Sequence, residues 1–157
     1  MKRLAHVFII SCLFVLQGNA TLPQVNLRDM NGRTVSVASL AQRGKPVIIS
    51  FFATWCKPCM RELEAINELY QDWQDETGVE VYIVSIDQAQ DIHKVRPLID
   101  GKGWDYKVLL DPNGVLKRAM NVQNVPHMFV IDSNGNTVYT HAGYTDGDEK
   151  EIRKYLR

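Results

Sequence analysis

Two cysteines, Cys56 and Cys59, lie on the seam between two unlike sequence patterns, and that seam restricts the possible folds more than any composition figure does. Before it, Pro46 to Ala53 is an almost unbroken apolar run. After it, Leu63, Ile66, Tyr70 and Trp73 recur at spacings of three and four, the mark of a helix with one apolar face. An apolar run without alternation suits a strand covered on both sides of a sheet. Gly78 ends the helical pattern, and Val79 to Ile86 reads as a second buried strand. Strand, helix and strand in that order imply a parallel crossover, and so an α/β fold.

A strand that delivers two thiols to a helix start is chemically suggestive. The first N–H groups of a helix lack intrahelical partners and carry partial positive charge. With Cys56 near the N-cap, its sulfur stands where a capping oxygen would. The thiolate gains more from those donors than the thiol does, so the pKa is expected below its free value. Lys57 adds a positive charge next door, and Pro58 falls in the first turn, where its missing N–H costs nothing. Cys59, three residues on, shares a helix face with Cys56, so the two can close a disulfide. These positions predict an exposed, attacking Cys56 and a buried Cys59 that resolves a mixed disulfide.

The 157 residues suffice for one domain with a substantial core. Eighteen basic residues balance 18 acidic ones, so no strong field invites nucleic acid. Residues 1–20 read as a cleavable signal peptide. Lys2 and Arg3 precede an apolar stretch, Leu4 to Leu16, and Gly18-Asn19-Ala20 supplies small residues at the cleavage positions. The folded domain is then 21–157, and the protein is expected outside the cytoplasm, in a periplasm. The competing reading is a lipid anchor on Cys12. Ile9-Ile10-Ser11 fits such a site poorly, and Cys12 is read as an apolar residue of the discarded segment. A disulfide closing so short a loop gains little as a staple, which favours a redox role for the pair.

Further elements follow from turn chemistry and spacing. Gln24–Arg28 and Thr34–Val37 flank Asn31-Gly32 as an N-terminal hairpin. Asp91 to Gly103 is a weaker helical segment, expected to be interrupted by Pro97. Tyr106–Leu110 is a short strand, Asp111 to Gly114 a turn and Val115–Met120 a short helix. Met128–Ile131 and Thr137–His141 flank the turn Ser133 to Asn136 as a second hairpin, and Thr145–Leu156 is the last helix. The expected architecture is a mixed central sheet with helices on both faces.

Trp55-Cys56-Lys57-Pro58-Cys59 after an apolar strand resembles the thioredoxin active site, and Val125-Pro126 before Met128 to Ile131 resembles the cis-proline segment of that fold. Leu110 to Gly114, Ile131 to Gly135 and the strand–helix material inserted between Asp87 and Gly114 resemble the TlpA/ResA-type branch of exported, reducing thioredoxin-like proteins. The resemblance covers nearly all of 21–157. It implies a thioredoxin-like fold and a thiol–disulfide oxidoreductase that needs no cofactor. Its substrates would be protein disulfides, with electrons from a membrane thiol donor and a place in cytochrome c maturation. It also implies a cis Val125–Pro126 bond beside the disulfide, with the Val125 backbone pairing to an extended substrate. A monomer is expected.

The chain departs from thioredoxin at Ser50, where thioredoxin has a buried aspartate. Glu62 matches an acidic residue of the ResA-like branch, and the resemblance implies that it tunes the thiols and relays a proton to or from Cys59. The competing reading of Glu62 is a solvated surface residue. Trp55 is read as shielding the pair and touching the partner, Trp73 and Trp104 as packing residues, and His127 as an ordinary loop histidine. No metal site is expected, because one Cys-x-x-Cys with scattered histidines does not supply four ligands. Two other functions fit the same chain: a disulfide oxidant or isomerase, and a redox-inert adaptor that binds peptides along Val125.

Overall fold

The computed structural model describes residues 22–156. The expected signal peptide, 1–20, and Cys12 lie outside the described residues. Seven strands form one sheet: β1 (Asn26–Asp29), β2 (Thr34–Ser36), β3 (Val47–Phe52), β4 (Glu80–Ser85), β5 (Lys107–Leu110), β6 (His127–Ile131) and β7 (Thr137–Ala142). The helices are α1 (Lys57–Thr77), α2 (Val95–Lys102), α3 (Val115–Ala119) and α4 (Glu149–Ile152). Strand order is β2-β1-β5-β4-β3-β6-β7. β3, β4 and β5 run parallel, while both hairpins, β1–β2 and β6–β7, attach antiparallel.

Every residue of β3 is buried, which explains its lack of alternation. Ile48 and Phe52 face one core layer, packed under Leu63, Ile66 and Trp73 of α1, with α2 and α4 completing that side. Val47, Ile49 and Phe51 face the other layer, closed by Leu40, by Leu116 of α3 and by Val122. The mixed sheet with helices on both faces is therefore present, with the N-terminal hairpin and the inserted α2–β5 segment. Asn31-Gly32 sits in the first hairpin turn, where Gly32 has φ +78°.

Two helical expectations are corrected. Pro97 does not interrupt its helix. α2 begins at Val95, so Pro97 is its third residue, where a backbone N–H would lack a partner in any case. The last helix is much shorter than 145–156. Gly147 at φ +106° cannot lie in an α-helix, and Asp148 instead caps a turn by accepting from the Thr145 N–H at 2.7 Å. α4 therefore starts at Glu149 and gives way to a 3-10 turn over Arg153–Tyr155.

Candidate active site

The turn between β3 and α1 is gripped from the neighbouring strand. Asp87, just past β4, is buried, and its Oδ1 accepts from the Thr54 hydroxyl at 2.6 Å. Its Oδ2 accepts from the Thr54 N–H at 3.0 Å and from the Ser85 hydroxyl at 2.8 Å. The carboxylate thus fixes the backbone just ahead of Trp55 and Cys56. Sequence reasoning missed Asp87. The available signal was a lone acidic residue at the carboxyl end of an apolar parallel strand, the end of an open sheet where sites gather.

Cys56 is the N-cap of α1, with extended backbone at φ −89° and ψ 97°. Its Sγ accepts from the Cys59 N–H at 3.3 Å and is bonded to Cys59 Sγ. Pro58 is the second residue of the helix, so its missing N–H leaves no gap. Lys57 is exposed at the first helical position. The expectation of an exposed Cys56 is corrected: in the disulfide it is only 4% exposed, against 0% for Cys59. It packs in the layer that holds Phe52, Ala53 and Leu63. Cys56 remains the more accessible residue of the two, and its neighbour Trp55 is 68% exposed.

The Val125–Pro126 bond is cis. Phe51 pairs with His127, so Pro126 follows the register to the same sheet end from which Cys56 emerges. The Pro126 carbonyl accepts from the Gly143 N–H at 2.8 Å. Trp55 and half-buried Val125 line one groove of about 720 Å³. His127 is not a loop residue. It opens β6, its Nε2 lies 3.2 Å from Thr140 Oγ1 on β7, and its ring stacks on Phe129 at 4.7 Å. Burial, and then the nearby His141, lower its pKa.

Glu62 is not a solvated residue. It is 1% exposed, one turn beyond Cys59 on the same helix, and its Oε2 accepts from the Ser50 hydroxyl at 2.8 Å. Its Oε1 has no partner among the described residues. Burial pushes its pKa up to about 8, opposed by the Ser50 hydrogen bond and assisted by the negative charge of Asp148. A carboxyl with that affinity exchanges protons with a thiol at little cost, since the two are nearly matched. Trp73 and Trp104 are both buried packing residues. Among the described residues no three His, Cys, Asp or Glu side chains converge as a metal would require, and no helix is long and apolar enough to cross a membrane.

Comparison with known proteins follows the same lines. The AhpC/TSA family matches residues 19–140. The thiol-disulfide oxidoreductase ResA of Geobacillus thermodenitrificans is 34% identical over 74% of this chain, which spans 64% of that protein's length. The ResA of Bacillus anthracis is 30% identical over 86% of this chain and 74% of its own. Among solved structures, a thioredoxin-like protein from Porphyromonas gingivalis is 58% identical and superposes with a TM-score of 0.77, covering 87% of this chain and 89% of that one. A secreted disulfide oxidoreductase of Mycobacterium tuberculosis, at 20% identity, shares the fold with a TM-score of 0.70 over 85% of this chain and 94% of its own.

Proposed function

The chain belongs to the AhpC/TSA family, with a thioredoxin-like fold, and from that premise we propose that it is a thiol–disulfide oxidoreductase that reduces the disulfides of exported proteins. One observation carries the reading. Cys56 caps α1 with its sulfur, accepting the Cys59 N–H at 3.3 Å, and the two sulfurs are already bonded. A helix N-terminus that solvates a sulfur favours the thiolate, which is the nucleophile and the better leaving group.

In the forward direction the reduced Cys56 thiolate attacks one sulfur of a substrate disulfide. The substrate S–S bond breaks, its second sulfur leaves as a thiolate and takes a proton, and a mixed disulfide forms. Cys59 then loses its proton to the Glu62 carboxylate, attacks Cys56 Sγ and releases the first substrate sulfur, which takes up a proton in turn. The substrate gains two electrons and two protons, and Cys56–Cys59 is left oxidised. A dithiol donor outside this chain restores the pair by the reverse exchange. During that step the neutral Glu62 carboxyl protonates Cys59 as it leaves.

Lys57 supplies positive charge beside the attacking sulfur, and Pro58 sets the first turn without an idle donor. Trp55 covers the pair and meets the partner. Val125, ahead of cis-Pro126, offers backbone to an extended substrate strand, a mode that gives affinity with little side-chain selection. Residues 1–20 act as an export signal, so the domain 21–157 works as a monomer in the periplasm and draws on a membrane thiol donor. A role in cytochrome c maturation follows from the TlpA/ResA-type resemblance.

Insulin reduction with a dithiol donor tests the scheme. Cys56→Ser should abolish turnover, and Cys59→Ser should accumulate mixed disulfides. Unchanged turnover in either variant overturns the reading. Equilibration with glutathione tests direction, because a potential as oxidising as that of a disulfide-forming catalyst rules out the reducing role.

A further inference from the structure

The groove of about 720 Å³ that begins at Trp55 and Val125 continues along α3 and the loop after it. Its charge is one-sided. Lys117 and Arg118 of α3 both line it, and neither pairs with a carboxylate among the described residues. Arg118 Nη1 instead donates to the Asn113 carbonyl at 2.8 Å. The single acidic lining residue is Asp91, and Lys94 engages its Oδ1 at 2.6 Å. Asp111, buried in the turn before α3, accepts from the N–H groups of Val115 and Lys117 at 2.7 and 2.8 Å, and its charge also interacts with that of Arg118. Lys117 and Arg118 therefore face this space without an ion pair among the described residues, and Lys117 has no carboxylate partner there at all.

Five neutral lining residues, Gln88, Asn113, Asn121, Gln123 and Asn124, carry side-chain amides. Such groups both donate and accept, as a peptide backbone does. Asn121 takes a left-handed backbone, φ 54°, which asparagine tolerates, and its Oδ1 accepts from Gln123 Nε2 at 2.9 Å.

We propose that the groove receives the substrate polypeptide flanking its disulfide, and that Lys117 and Arg118 select segments bearing an acidic side chain there. The proposal rests on the oxidoreductase reading above. The groove meets the redox pair at Trp55, one residue before Cys56, and at Val125, one residue before cis-Pro126. Selection by these cations acts on encounter and register, so it weakens as salt is added.

The test uses the full chain, reduced in advance, and three disulfide-linked peptides alike except for Glu, Gln or Lys at the positions flanking the cysteine. The second-order rate constant should rank Glu over Gln over Lys, with roughly a five-fold step between neighbours at low salt. The double variant K117Q/R118Q should flatten the ranking. The charge-reversed K117E/R118E should invert it, an outcome that a misfolded chain cannot give. A flat ranking in the wild-type protein, or one that survives in K117Q/R118Q, overturns the groove's role in selection. A small aromatic disulfide serves as the separating control. If the wild-type protein fails to reduce it as well as all three peptides, the oxidoreductase reading itself falls.

Discussion

Ser50 on β3 donates its hydroxyl to Glu62 on α1 across 2.8 Å, and both side chains are buried. The contact joins the central strand to the helix that carries the thiols. It is the only hydrogen bond recorded for the Glu62 carboxyl among the described residues, because Oε1 lacks a partner. The pair thus controls how readily this carboxyl holds a proton, and several measurable consequences follow from it.

The first concerns stability. Glu62 binds its proton up to a pH of about 8 in the folded chain, against 4.5 for an ordinary glutamate. Between those values the native state holds more protons than the unfolded state, so stability falls as pH rises. The contribution is complete below about pH 4.5 and lost as pH passes through about 8. Each tenfold difference in proton affinity corresponds to about 1.4 kcal/mol. Glu62→Gln keeps an acceptor for Ser50 and should remove this slope. Urea denaturation of both proteins from pH 5 to pH 9 checks it, and parallel curves would contradict the buried acid.

The second concerns the thiols. Ser50→Ala deletes the donor that favours the charged carboxylate, so the Glu62 pKa should rise further. The limb of the thiol-exchange rate profile that reports Glu62 should move upward from about pH 8, and stability should drop by about 1 kcal/mol. In the Glu62→Gln background the same substitution should leave the profile in place. A profile that shifts equally in both backgrounds would show that Ser50 acts by another route.

Asp87→Asn offers a third test. The amide can turn only one oxygen toward Thr54, and its NH2 group then faces hydroxyl or backbone donors at the positions now held by Oδ1 and Oδ2. A buried donor left unmatched costs about 1–3 kcal/mol. Because the lost bonds fix the turn before Trp55, the indole fluorescence and the rate of Cys56 alkylation in the reduced protein should both change. Loss of stability with neither change would confine Asp87 to a packing role.

Gly135 provides a prediction remote from the thiols. It has φ +85°, and a Cβ placed there would lie 3.0 Å from the Ala41 carbonyl oxygen and 3.3 Å from the Ala41 Cβ. Gly135→Ala should lower stability by about 1–3 kcal/mol through backbone strain and this close contact. Thiol exchange, measured well below the melting temperature, should persist.

Much of this architecture could be read directly from residue order. The β3–α1–β4 crossover was legible because Val47 to Phe52 is uniformly apolar and the α1 contacts recur at helical spacing. Both hairpins were marked by turn residues, and the placement of Cys56 at a helix start followed from the seam itself. The Ser50–Glu62 contact was not legible. Its partners are 12 residues apart on different elements, and although Ser50 lies in a strand read as covered on both faces, nothing in the residue order pairs it with Glu62. Nor was the depth of Cys56, which lies in the same core layer as Phe52 and Leu63. The last helix was overread because a conformational break at Gly147 outweighs the apolar spacing of Ile152, Tyr155 and Leu156.

The N-terminal hairpin bears on how the molecule behaves in a crowd. By covering β5, it moves that end of the sheet to β2, a three-residue strand of Thr34, Val35 and Ser36. So short and polar a border gives a second copy little backbone to zip onto. The opposite border is β7, six residues long, with Val138 turned to solvent. Clumping at high concentration should therefore begin at β7, and a lysine in place of Val138 is the natural guard against it.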